Sequence, residues 1–148
     1  MKTIHIIVGS QMGSAEYTAD QIHQALNAEN ISSQLHEFPE SEAIPDKDAI
    51  WLICTSTHGA GDLPDNIQSF ASTLSERGSL EGLLYGVIGL GDRSYDTFNQ
   101  AAIKIDELLQ HQGAKRIGQR LEINVLDELL PEDAALAWLP TWLDALSA

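Results

Sequence analysis

Thr3-Ile4-His5-Ile6-Ile7-Val8-Gly9-Ser10-Gln11-Met12-Gly13-Ser14-Ala15-Glu16-Tyr17 decides the fold. Thr3 to Val8 is a nearly continuous apolar run, as a strand covered on both faces requires. It stops at Gly9, and beyond a short polar loop Ala15, Ala19, Ile22 and Leu26 recur at helical spacing. Buried strand, tight loop and amphipathic helix make one βα unit.

The rest of the chain repeats that unit. A more polar strand is expected near Ser33 to Phe38, and Ala49 to Thr55 is the clearest buried strand. Ile67, Phe70 and Leu74 mark the next helix, Leu83 to Leu90 a fourth strand, and Phe98, Ala102, Ile105 and Leu109 a helix stopped by Gly113. A fifth strand is expected within Lys115 to Val125, where Leu121, Ile123 and Val125 alternate. Ala135, Trp138, Leu139, Trp142, Leu143 and Leu146 form a last helical stripe, which Pro140 should bend or break. Five strands alternating with four helices give an α/β fold: a parallel sheet with right-handed crossovers and helices on both faces. A length of 148 residues suits one domain over the whole of 1–148. Ligands of such sheets bind beyond the carboxyl ends of the strands, where strand order reverses. The chemistry is therefore expected after strands one, three and four.

Composition narrows the function. Twenty-two acidic against eight basic residues give a formal charge of −14, which repels nucleic acid and favours basic partners. No apolar run is long enough to span a bilayer, and the apolar start reads as a first strand rather than a signal segment. Cys54 is the single cysteine, so no intrachain disulfide forms and a cytoplasmic home is expected; within a buried strand it reads as inert packing. His5, His23, His36 and His111 show no ligand spacing, and no metal site is expected.

The three expected places hold three unusual loops. Ser10-Gln11-Met12-Gly13-Ser14-Ala15 puts small and hydroxyl-bearing residues before a helix start, where amides and the helix dipole favour a phosphate. It contains no Lys or Arg, which excludes a triphosphate loop, and the dinucleotide pattern Gly-x-Gly-x-x-Gly is absent. An uncharged cradle suits a monophosphate, although a glycine and two serines before a helix are often only a turn and a cap. Ser56-Thr57-His58-Gly59-Ala60-Gly61-Asp62 follows strand three, its glycines permitting backbone close to a flat ligand. Gly89-Leu90-Gly91-Asp92-Arg93-Ser94-Tyr95-Asp96-Thr97-Phe98-Asn99 follows strand four and offers the Tyr95 ring.

These three stretches resemble the FMN-binding loops of the flavodoxin family, and the third is similar to the FMN domains of diflavin reductases. The resemblance covers essentially every element, including Ile123-Asn124-Val125-Leu126-Asp127 and Pro131-Glu132-Asp133. It implies a flavodoxin-like three-layer αβα sandwich with strand order 2-1-3-4-5. It also implies FMN held by Ser10, Gln11, Met12, Gly13, Ser14 and Ala15 at the phosphate, and by Ser56, Thr57, His58, Gly59, Leu90, Gly91, Asp92, Tyr95, Phe98, Asn99 and Asp127 elsewhere. Met12 stands where most members have Thr, a lost hydroxyl worth about 1 kcal/mol. His58 stands where diflavin relatives place a ring against one flavin face, and Tyr95 matches the residue on the other face.

The implied function is an electron carrier, with the flavin rather than a side chain performing the chemistry. Asp62, Asp65, Asp92, Asp96 and Asp127 near the rim should disfavour an anionic reduced flavin and dock basic proteins. The resemblance implies single-electron cycling, a reorienting peptide at Gly59, a flavodoxin or ferredoxin NADP reductase as donor, biotin synthase as one acceptor, and a monomer. Two other readings stand beside it: an FMN-dependent quinone or disulfide reductase, and a cofactor-poor regulatory module. A receiver domain fits poorly, because the acceptor Asp at the end of strand three is replaced by Thr55.

Overall fold

A computed structural model describes residues 2–10, 13–40, 43–57, 61–91, 99–127 and 129–147. In chain order the elements are β1 (Ile4–Gly9), α1 (Ser14–Ala28), β2 (Ser33–His36), β3 (Ala49–Ser56), α2 (Asp65–Glu76), β4 (Leu83–Gly91), α3 (Gln100–His111), β5 (Lys115–Arg116), β6 (Leu121–Asn124) and α4 (Pro131–Ser147). The strands pair in parallel in the order β2-β1-β3-β4-β5, with β6 also on β4.

Strand periodicity divides the core in two. Ile4, Ile6 and Val8 of β1 join Leu52, Cys54, Ile88 and Leu90 beneath α1 and α4. Ile7 faces the opposite way with Trp51, Ile53, Tyr85 and Val87, beneath α2 and α3. The sheet is thus the middle of three layers. Ala15, Ala19, Ile22 and Leu26 are the inward positions of α1, and burying Ile22 or Leu26 contributes about 1.5–3 kcal/mol each. That helix ends with Asn30 in the left-handed region, where Asn30 N–H donates to Asn27 and Ile31 N–H to Leu26, satisfying the last carbonyls. Gly113, at φ 98°, closes α3 in the same way: its N–H donates to Gln110, and that of Ala114 to Leu109.

Three expectations are corrected. The second strand ends at His36, and Phe38 lies beyond it, exposed. The fifth strand is divided in two. Tyr85 pairs with Arg116 and Ile88 with Leu121, so four edge residues, 117–120, run past two residues of β4. The interruption makes room for Trp142, whose indole lies so close on Gly86 that an added Cβ there would meet Nε1 at 2.4 Å. Asp106, buried in α3, holds the bulge: it accepts hydrogen bonds at 2.6 Å from Arg116, Arg120 and the Tyr85 hydroxyl. Finally, α4 runs across Pro140 as one helix, so of the bend or break expected there the break does not occur. Tertiary packing of Ala135, Leu139 and Trp142 outweighs the one donor that proline removes.

Cys54 matches its reading as packing. It is fully buried, and loss of solvent pushes its thiol up to about 12. No described helix is long and apolar enough to cross a membrane.

Candidate functional site

The strand order reverses between β1 and β3, because β2 lies on one side of β1 while β4 follows on the far side of β3. Connections after β1 and β3 therefore part, leaving a crevice at the carboxyl edge. Gly9 pairs with Thr55 and Thr55 with Gly89, so the three loops leave the sheet at one level. Gly9 is required there by space: an added Cβ would lie 2.4 Å from Thr55 Oγ1 and 2.5 Å from Ile67 Cδ1.

The first loop is built around Ser10 and Gly13. Ser10 is buried, and its Oγ accepts the Gly13 N–H at 3.0 Å. Gly13 precedes α1 at φ 88°, a conformation natural to glycine, and contributes no side-chain cap. The amides of Ser14, Ala15 and Glu16 consequently begin α1 without intrahelical acceptors, at the positive end of its dipole. That is the chemistry of a phosphate seat. The amides of Ser10 and Gly13 are already committed within the protein.

Asn66 ties this loop to its surroundings. Its Oδ1 accepts the Ser10 N–H at 2.9 Å, while its Nδ2 donates to the carbonyls of Val8 at 2.6 Å and Glu37 at 2.8 Å. One amide in the first turn of α2 thus joins the ends of β1 and β2. Sequence reading missed it, since an Asn at a helix start ordinarily reads as a local cap.

The other two loops are also linked. Ser56 Oγ donates to the Gly9 carbonyl at 3.3 Å. Thr57 Oγ1 accepts the Ala101 N–H at 3.1 Å, supplying from another loop the cap that α3 lacks. Lys104 Nζ donates to the Gly61 carbonyl at 2.7 Å, a second link that the sequence did not signal. Asn99 is fully buried in a left-handed conformation, and among the described residues neither polar atom of its side-chain amide has a partner. Such an orphaned amide at the crevice end of β4 is what a polar ligand edge would satisfy.

Of the sequence candidates, Ser10, Gly13, Ser14, Ser56, Thr57, Gly91 and Asn99 are brought to this edge. Ala15 and Leu90 are there too, but their side chains are buried in the core, which leaves only their backbone to face a ligand. Asp127 is exposed in the connection after β6, and its carboxylate accepts from Asn124 Nδ2 at 3.3 Å. Asp62 and Asp65 are exposed beyond β3. Gln11, Met12, His58, Gly59, Asp92, Tyr95, Asp96 and Phe98 lie outside the described residues.

Two of the histidines meet across neighbouring strands. His5 Nδ1 and His36 Nε2 share a hydrogen bond of 3.0 Å across β1 and β2, with rings stacked at 5.2 Å, and burial lowers both below the ordinary histidine range. His5 lies near the amino end of β1 and His36 closes β2, so the pair belongs to the strands rather than to the three loops. His23 pairs with Ser33 at 2.6 Å.

The open amides of α1, the close-packed glycine and the unpaired Asn99 amide fit a phosphate-bearing, flat cofactor, and comparison with known proteins agrees. Residues 6–138 match the family model described as Flavodoxin. The chain belongs to the flavodoxin family, and its cofactor is FMN. It is 41% identical to Protein MioC of Escherichia coli (strain K12) over 147 residues, covering 99% of both chains. It is 37% identical to Flavodoxin YqcA of the same strain, covering 99% of this chain and 100% of that one. Among solved structures, a C101A mutant of flavodoxin from Pseudomonas aeruginosa superposes with a TM-score of 0.88 at 30% identity, covering 99% of each chain.

Proposed function

We propose that this flavodoxin, one domain over residues 1–148, is a monomeric cytoplasmic carrier. It takes electrons from a basic flavodoxin or ferredoxin NADP reductase and delivers them singly to acceptor enzymes, biotin synthase among them. The observation that carries the reading is the uncapped start of α1 behind Gly13, held at the switch point of the sheet by Ser10 and Asn66.

In this reading Ser10 to Ala15 seat the phosphate through amides and hydroxyls rather than through a cation. Ser56, Thr57, His58 and Gly59 border one side of the ring, and Leu90, Gly91, Asp92, Tyr95, Phe98 and Asn99 the other, with Asp127 at the margin. FMN supplies the redox chemistry when bound. The protein's part is to orient the ring, shield it from water and surround it with negative charge, which disfavours an anionic reduced flavin. Those carboxylates also steer basic partners into contact, an attraction that salt screens.

An anaerobic titration of the FMN-loaded protein with NADPH and a catalytic amount of ferredoxin NADP reductase tests this. Reduction should proceed in two resolved one-electron steps, at a rate that falls as salt is raised from 50 to 300 mM, across which the Debye length shrinks to below about 10 Å. A single two-electron step, or a rate indifferent to salt, contradicts it.

A further inference from the structure

Among the described residues, the exposed large hydrophobics are Tyr17, Phe38, Val125, Leu126, Leu129 and Leu130. Every one follows the carboxyl end of a strand or lies in the first turn of the helix after it: Phe38 beyond β2, Tyr17 in α1, the other four between β6 and α4. Leu126, Leu129 and Leu130 are 65%, 53% and 57% exposed, although the leucines elsewhere in the described chain lie buried or half-buried. Helices α1 and α4 pack on one face of the sheet and both begin at this edge, which puts Tyr17 on the same flank as Leu130. Exposed apolar surface gathered into one place marks a contact site.

Charge says what kind of partner. Glu16, Asp62, Glu132 and Asp133 surround this edge, and none of them forms an ion pair among the described residues. Lys2, Arg77, Lys115 and Arg116 lie instead at the amino ends of strands or at the helix end leading into them. There, three of the four are paired: Lys2 with Asp48, Arg77 with Asp46 and Arg116 with Asp106. Lys104, the described cation nearest the carboxyl edge, is held on the Gly61 carbonyl. A second copy of the chain docking here would press carboxylate on carboxylate, and an anionic membrane would be repelled as well.

We propose that Leu126, Leu129 and Leu130, with Tyr17 beside them, are the apolar centre of a docking surface. Its partner is a redox protein whose contact face is an apolar patch ringed by lysine and arginine. The inference rests on the electron-carrier reading and adds to it a contact that is not electrostatic, placed on the connection between β6 and α4. The carboxylates set the encounter rate, and the leucines hold the complex long enough for transfer.

Cytochrome c, a basic haem protein with lysines around an apolar haem edge, serves as the probe. Three FMN-loaded proteins are photoreduced and mixed with it: wild type, the triple variant Leu126→Ser/Leu129→Ser/Leu130→Ser, and Glu132→Gln/Asp133→Asn. FMN affinity and near-ultraviolet circular dichroism of each establish that the variants fold. The serine variant should transfer electrons about tenfold more slowly, as for loss of an interface centre, with the salt dependence of wild type retained. The amide variant should lose part of the salt dependence. An unchanged rate in the serine variant overturns the proposal, as does a wild-type dimer in sedimentation velocity that the serines dissolve. A parallel titration of the nitrogen-15-labelled protein as purified, followed by amide shifts, needs no electron transfer. Shifts centred on 125–130 support the surface even if FMN fails to bind and the carrier reading falls, whereas shifts confined elsewhere overturn it.

Discussion

Asn66 joins three stretches of chain with a single side chain. It accepts from the Ser10 amide and donates to the carbonyls of Val8 and Glu37. Asn66→Ala leaves these groups without partners and should cost about 2 kcal/mol in urea unfolding, besides weakening FMN binding by releasing the Ser10 loop. Asn66→Asp keeps the acceptor but loses both donations, and an affinity between those of wild type and Ala would show that the Ser10 contact matters on its own. Asp106 has the same character deeper in the molecule. Its buried carboxylate meets two guanidinium groups and the Tyr85 hydroxyl, and burial followed by the hydrogen bond to Asp106 pushes that hydroxyl well above the ordinary phenol range. Asp106→Asn strands Arg116 and leaves Arg120 with Glu122 alone, and should destabilise by about 3 kcal/mol, read from the denaturant midpoint at constant m. Neither residue announced itself in the sequence. Their partners lie up to 58 residues away, and only the fold brings them close.

At the scale of elements, much was legible. The period of Ile22 and Leu26, the unbroken apolar run of β3 and the stop at Gly113 each specify an element through local geometry alone. The edge strand was not so legible. Its alternation at Leu121 and Ile123 is real, but the four-residue detour answers to Trp142 on Gly86 and to Asp106, none of which is a neighbour in sequence. The pairing of β1 with β2 held a second surprise, the His5–His36 contact, since spacing along the chain says nothing of residues opposed across strands. Burial lowers both histidines, with His5 also repelling charge on His36. The unfolded chain, with histidines near 6.5, then binds more protons than the folded one. Stability from this pair is complete above that value and is lost as the pH falls below it. Urea midpoints measured from pH 8 to pH 5 should decline, and His5→Phe/His36→Leu should flatten that decline. An equally steep fall in the double variant would place the sensitivity elsewhere.

The whole molecule is asymmetric, with cations paired to carboxylates towards the amino edge of the sheet and, among the described residues, carboxylates outside ion pairs beside exposed leucines at the carboxyl edge. Net charge was readable from composition, but its distribution was not, because only topology puts the ends of β1, β3, β4 and β6 together. The carboxyl edge was readable as the place for a ligand from the alternation of strands and helices alone, whereas the strand order that puts the switch point beside β1 came only from the resemblance carried by the loops. The central claim is that this edge seats one FMN, phosphate first, on the open amides of α1. Titration of FMN into cofactor-free protein, followed by quenching of flavin fluorescence, tests it most directly. The account predicts saturation at one FMN per chain, with inorganic phosphate competing and riboflavin, which lacks the phosphate, binding far more weakly. Undiminished flavin fluorescence in the presence of folded protein, or equal binding of riboflavin, would contradict it.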